Sequence, residues 1–189
     1  MTFDESSISQ ILHAIRFSAD KHRDQRRKDS GASPYINHPI EVAEILWRVG
    51  HVRTVDVIIA AILHDTLEDT STTAGELQEH FGPDVLSLVQ EVSDDKSLPK
   101  ATRKQLQIEH ASHKSTGAKQ IKLADKICNV RDISNSPPQD WSLHRRIEYL
   151  DWASAVVNGL RGANEDLEAL FDDVLSDGRK KLSQVNAAG

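Results

Sequence analysis

Four groups able to bind a metal or move a proton crowd one short stretch: His64, Asp65, Glu68 and Asp69, in the run VIIAAILHDTLEDT from Val57 to Thr70. Residues three and four apart share a helix face. Glu68 therefore falls near both His64 and Asp65, and Asp69 near Asp65. Three carboxylates this close repel one another unless a cation or a shared proton stands among them. A divalent cation uses all of these groups; the plainer reading is a solvated acidic helix end with a chance histidine.

Two more residues could complete the site. His38 sits in the turn Tyr35-Ile36-Asn37-His38-Pro39 ahead of a helix. Alone it reads as a turn residue before proline, and its interest comes from pairing with His64-Asp65 across adjacent helices. Asp125 lies inside the apolar stretch KQIKLADKICNVRDI, where Lys122, Asp125 and Asn129 share a face. A carboxylate among apolar helix positions needs a partner. That partner is a metal, or else Lys122 or Lys126 in an ordinary ion pair. His38, His64, Asp65 and Asp125 would form a mixed nitrogen and oxygen set that suits Mn, Fe, Zn or Ni better than Ca. Such an ion lowers the pKa of bound water and polarises a phosphoryl oxygen. Glu68 and Asp69 are the candidates to orient or deprotonate that water. The implied class is metal-assisted phosphoester or phosphoanhydride hydrolysis.

The elements that must hold these groups are helices. Apolar spacing predicts helices over Ser6–His22, Pro39–Val49 and Thr54–Thr70, and a short one to Phe81 begun by a Thr73–Glu76 capping box and stopped at Gly82-Pro83. Further helices are expected over 84–93, 100–112, 117–133, 141–162 and 165–177. Ile8, Leu12, Ile40 and Ile147 are placed on core faces. Arg23–Pro34, Asp94–Pro99 and Asn135–Gln139 read as connectors. With aromatics at 5% of the 189 residues, the core must come from Leu, Ile, Val and Ala, which favours helices over a β-sandwich. The fold class is all-α, a compact helical bundle with a single divalent-metal cleft. One domain is expected over 1–178, with 179–189 a frayed tail.

The net charge of −6 argues against nucleic acid. Local basic clusters at Arg23–Lys28 and Arg145-Arg146 suit a small polyanion instead. The Val57–Leu63 run is far short of the roughly 20 residues of a membrane span. The single Cys128 excludes an internal disulfide and fits a reducing cytosol, and the N-terminus lacks an export signal pattern. A cytoplasmic protein acting on a small molecule is expected, with oligomeric state open.

The flanks of these residues resemble a known family. HRDQRRK (His22–Lys28), PYINHP (Pro34–Pro39), LHDTLEDT (Leu63–Thr70), Phe81-Gly82 and KLADKICNVRD (Lys122–Asp132) are similar to the hydrolase domain of RelA/SpoT homologues, within the HD superfamily of metal-dependent phosphohydrolases. Ser93-Asp94-Asp95-Lys96 and the His144–Tyr149 segment bring the chain nearest to the stand-alone small alarmone hydrolases, the SpoT-homologue type also found in animals. The resemblance implies Mn²⁺-dependent removal of pyrophosphate from the 3′ position of ppGpp or pppGpp, with no synthetase. It implies His38, His64, Asp65 and Asp125 as metal ligands and Glu68 and Asp69 as the water-activating pair. It implies Arg27, Lys28, Lys100, Asn129, Arg145 and Tyr149 as substrate-binding residues. The competing expectations are a phosphatase for another ribose-phosphorylated nucleotide such as NADPH, and a non-catalytic alarmone or metal sensor.

Overall fold

The computed structural model describes residues 4–29 and 31–188. Among them the regular structure is helical: α1 (Glu5–Lys21), α2 (Asn37–Arg48), α3 (Val55–Leu63), α4 (Thr66–Asp69), α5 (Ala74–Val92), α6 (Lys100–His110), α7 (Thr116–Asn135), α8 (Leu143–Leu160) and α9 (Glu165–Ala188), with a 3₁₀ turn at Ala111–His113. Local chemistry sets many of the starts. Asp4 caps α1 by accepting from the Ser7 N–H, and Ser142 caps α8. The expected capping box at α5 forms in both directions, with Thr73 accepting from Glu76 N and Glu76 accepting from Thr73 N. Glu76 also takes the Lys21 ammonium at 2.7 Å, which ties the start of α5 to the end of α1. Within α5 the chain breaks at Gly82, whose φ of 83° favours glycine.

Two helices form the centre. In α3 every residue from Val57 to Leu63 is buried. In α7 eleven residues are buried, and this helix packs on α2, α3, α5, α8 and α9. A helix surrounded this way buries residues all round. It explains why Lys122, Asp125 and Lys126 lie inside the protein together with the apolar positions.

Three expectations are corrected. The stretch from Val55 to Thr70 is not one helix: α3 stops at Leu63 and α4 begins at Thr66. The Thr66 hydroxyl donates to the Leu63 carbonyl at 2.6 Å, closing the turn that carries His64 and Asp65. Ile8, Leu12, Ile40 and Ile147 are exposed. In α1 Ala14 and Ser18 are fully buried, and Ile11, Ile15 and Phe17 pack against the core beside them. Finally, the segment after Gly178 is not a frayed tail. α9 continues to Ala188, Leu182 is buried, Arg179 pairs with Asp151, and Lys181 donates to Asn135. Gly178 is a close-approach position: a Cβ there would stand 2.4 Å from Ser134 Oγ and 3.2 Å from Leu150 Cδ2.

Candidate metal centre and nucleotide pocket

α2 brings His38 in its first turn, the α3–α4 turn brings His64 and Asp65, and α7 brings Asp125. Their inner atoms form a ring of alternating nitrogen and oxygen. His38 Nε2 lies 3.8 Å from Asp65 Oδ2 and 3.2 Å from Asp125 Oδ1. His64 Nε2 lies 3.1 Å from Asp65 Oδ2 and 3.8 Å from Asp125 Oδ1. Neighbouring ligands about 2.1 Å from one metal stand about 3 Å apart when at right angles, so the ring is close to coordination size. Among the described residues, His38, His64 and Asp65 form the tightest such cluster, with ligand atoms within 4.8 Å of one another. Asp125 closes the ring from the opposite helix.

Two observations test whether a cation fits. His64 Nε2 is buried without a hydrogen-bond partner. Its other nitrogen, Nδ1, lies 2.7 Å from the Ala61 carbonyl. With the proton donated there, the Nε2 lone pair faces the ring, the usual arrangement of a metal-binding imidazole. The electrostatics agree. Burial opposes charge on His64, yet the Asp65 and Asp125 carboxylates outweigh it and raise the imidazole to about 9. Burial would also raise Asp65 and Asp125, but His64 on one side and Lys126 on the other hold both below the usual carboxylate range. The site calls for positive charge at its centre, and a divalent cation supplies it.

Neighbours fix these ligands. Tyr35 donates to Asp65 Oδ2 at 2.6 Å and approaches Asp69 Oδ2 at 3.4 Å. Asn129 donates to Asp125 Oδ1 at 2.6 Å, and Lys126 grips Asp125 Oδ2 at 2.7 Å. Lys126 is therefore the lysine that pairs with Asp125, while Lys122 donates to the Val92 carbonyl at 3.0 Å.

Glu68 and Asp69 stand at the mouth. Glu68 accepts the Asp94 N–H at 3.1 Å and faces Lys96 at 3.3 Å and Arg103 at 3.4 Å. Burial raises its carboxyl above the ordinary glutamate value, with Asp94 and Asp65 adding to the rise. Asp69 binds Lys96 at 2.6 Å.

Beside the ring lies a cavity of about 420 Å³. Tyr35, Asp69, Asn129 and Tyr149 line it together with Arg27, Lys28 and Lys96. Because Tyr35 and Asn129 hold the ring's carboxylates, the cavity and the ring share a wall. The connector after α1 folds back on itself, with Arg27 N donating to Ser33 O and Tyr35 N to Gln25 O. This turn sets Arg27 against Asp132 and within 3.4 Å of Asn129, and leaves Lys28 exposed. Lys100 is held below the ordinary lysine value by burial and by repulsion from Arg145, Lys28 and Arg103. These cations thus stand close to one another, and of them Lys28 lines the cavity. Arg145 also stacks over Trp141, 4.2 Å from the ring centre. Burial pushes the Tyr149 hydroxyl up to about 12, so it stays a neutral donor.

Sequence reasoning passed over Tyr35, Lys96, Arg103 and Asp132 as site residues. Tyr35 stands three residues before His38 in the same turn, a signal that could have found it. Arg103 and Lys96 reach Glu68 from 35 and 28 residues away (103 − 68 and 96 − 68), and no local pattern announces that.

Comparison with known proteins agrees with this geometry. Residues 14–150 match the HD domain family model. A human guanosine-3′,5′-bis(diphosphate) 3′-pyrophosphohydrolase, MESH1, is 54% identical over 163 residues, covering 86% of this chain and 91% of that one. The Xenopus tropicalis MESH1 protein is 52% identical over 172 residues, covering 91% and 96%. A solved structure described as a metazoan ortholog of SpoT that hydrolyzes ppGpp matches with a TM-score of 0.89 and 44% identity, over 93% of this chain and 97% of that one. Ring, pocket and likeness converge: the chain belongs to the HD-domain family, in the branch of the metazoan-type ppGpp hydrolases.

Proposed function

We propose that this protein is a Mn²⁺-dependent hydrolase that removes the 3′-pyrophosphate of ppGpp or pppGpp, leaving GDP or GTP. The observation that carries the proposal is the ring of two imidazole nitrogens and two carboxylate oxygens sharing a wall with a cation-rimmed cavity. Relatives more than half identical bear that activity in their names.

His38, His64, Asp65 and Asp125 would hold the metal. Bound there, a divalent ion lowers the pKa of water and withdraws charge from the phosphoryl oxygen. The chain's own groups do the rest. Glu68 and Asp69 orient the attacking water and accept its proton. Glu68 suits this role because burial lifts its carboxyl above the ordinary glutamate value. Lys28, Lys100 and Arg145 neutralise the phosphates, and Asn129 and Tyr149 bound the nucleotide. Tyr35 holds Asp65 in place. The buried α3 behind His64 keeps solvent out of the reacting centre. A cytoplasmic location fits the lone buried Cys128. No helix among the described residues is long and apolar enough to cross a membrane.

The test is release of pyrophosphate from ppGpp by the purified chain with Mn²⁺, with chelator, and after Mn²⁺ is restored. Release that chelation abolishes and Mn²⁺ recovers is expected. Release of orthophosphate from NADPH, with ppGpp untouched, would overturn the substrate assignment and keep the metal centre.

A further inference from the structure

Lys96 is a cation at the junction of the chemistry and the binding pocket. It sits on the connector between α5 and α6, half-exposed. Its ammonium lies 2.6 Å from Asp69 Oδ1 and 3.3 Å from Glu68 Oε1, and it lines the main cavity. The connector is fastened at Asp94, two residues before the lysine. Asp94 N–H donates to Glu68 Oε2, Gln107 donates to Asp94 Oδ2 at 2.7 Å, and Arg103 spans Glu68 and Asp94. The backbone is thereby held, while the Lys96 side chain remains free to swing.

This creates a conflict. A carboxylate takes a proton from water less readily while cations neutralise it. Here Glu68 Oε2 is occupied by Asp94 N–H, and Glu68 Oε1 faces both Lys96 and Arg103. Asp69 Oδ1 is occupied by Lys96, and Tyr35 lies near its other oxygen. Lys96 therefore covers the acceptor positions on both residues. An ion pair this exposed is weak in water, and a phosphate entering the cavity competes for the same ammonium. A ribose-linked diphosphate carries more total charge than a monophosphate, and its terminal phosphate reaches further from the ribose.

We propose that Lys96 is a specificity-determining, substrate-binding residue: its ammonium leaves the Glu68–Asp69 pair for the terminal phosphate of a ribose-linked diphosphate. The move seats that phosphate and takes the Lys96 charge away from Asp69 Oδ1 and Glu68 Oε1 in one event, while Arg103 stays beside Glu68. A ribose-linked monophosphate offers the ammonium no such partner, so Lys96 favours diphosphate over monophosphate ligands. This rests on the phosphohydrolase reading above, since it takes Glu68 and Asp69 as the groups that need uncovering.

The test compares two guanosine 5′-diphosphates, one with a 3′-diphosphate and one with a 3′-monophosphate. Binding is measured by calorimetry on the full chain without added metal, so turnover does not enter. The wild type is expected to bind the diphosphate form more tightly. Lys96→Met should weaken that form by about tenfold or more, the worth of a charge-assisted hydrogen bond. The monophosphate form should change by less than about threefold, the scale of an exposed pair. Lys96→Arg should keep most of the discrimination. In Mn²⁺-loaded turnover of ppGpp, Lys96→Met should raise KM and leave kcat close to wild type. Equal weakening of both ligands, no preference in the wild type, or a fall in kcat at constant KM would overturn the proposal. The last outcome makes Lys96 a brace for the carboxylates. Should the wild type fail to turn over ppGpp, the functional reading falls alone, and the binding comparison still decides the role of Lys96.

Discussion

At the candidate metal ring His38, His64 and Asp125 are buried and Asp65 is partly so, each carried by a turn or helix of the core. At the rim of the cavity, Lys28 and Lys96 are exposed and project from connectors, and Lys96 pairs with the acidic Glu68 and Asp69. The ring has its geometry before any ligand arrives, as catalysis by preorganised charge requires. The rim cations stand on exposed, flexible side chains, which suits groups that bind a flexible polyanion. Chemistry and capture are thus assigned to parts of different stiffness.

The contrast can be broken or sharpened by substitution. The largest effect is expected at the ring. His64→Ala or Asp125→Asn should abolish tight Mn²⁺ binding in calorimetry and bring turnover down to that of the chelated enzyme, because each removes one of the four proposed protein ligands. At the border between the two regions, Glu68→Gln should keep the metal and lower kcat by about two to four decades; full activity would remove Glu68 from the water-activating role. One layer further out, Tyr35→Phe deletes a single hydroxyl that bridges Asp65 and Asp69. It should weaken Mn²⁺ binding by about 10- to 100-fold while leaving the melting temperature nearly unchanged. At the rim, Lys28→Ala should raise KM by about fivefold, roughly 1 kcal/mol, with kcat constant. Added salt should shrink that difference, since exposed charges are screened. A rim substitution that altered kcat as strongly as Glu68→Gln would erase the distinction.

The same contrast governs what the sequence made legible. His64-Asp65 and Glu68-Asp69 are close in the chain, and their spacing on a short helical segment was enough to suggest a cation. Asp125 stood out because a carboxylate among Ile121, Leu123, Ala124 and Ile127 needs a partner. Buried positions write a pattern because the core penalises deviation from it. The interruption at His64–Asp65 left no such mark: no Gly or Pro punctuates it, and it follows from side-chain hydrogen bonding at Thr66. The contacts of Lys96 and Arg103 were illegible for a related reason. They depend on how the α5–α6 connector folds over Glu68, which is a tertiary outcome. Gly178 was misread outright, since a glycine late in a chain looks like a helix stop, whereas this one marks a crossing.

That crossing has a consequence for where the working unit ends. Ser134, which nearly touches Gly178, belongs to α7, the same helix that presents Asp125 on its other flank. α9 leans on the back of α7, the helix that carries Asp125, and Leu182 is buried beyond the glycine. Residues remote from any ligand thereby hold the rear of the active helix in register, and a chain trimmed at the glycine would keep all its reactive groups yet lose the buttress that keeps them aligned.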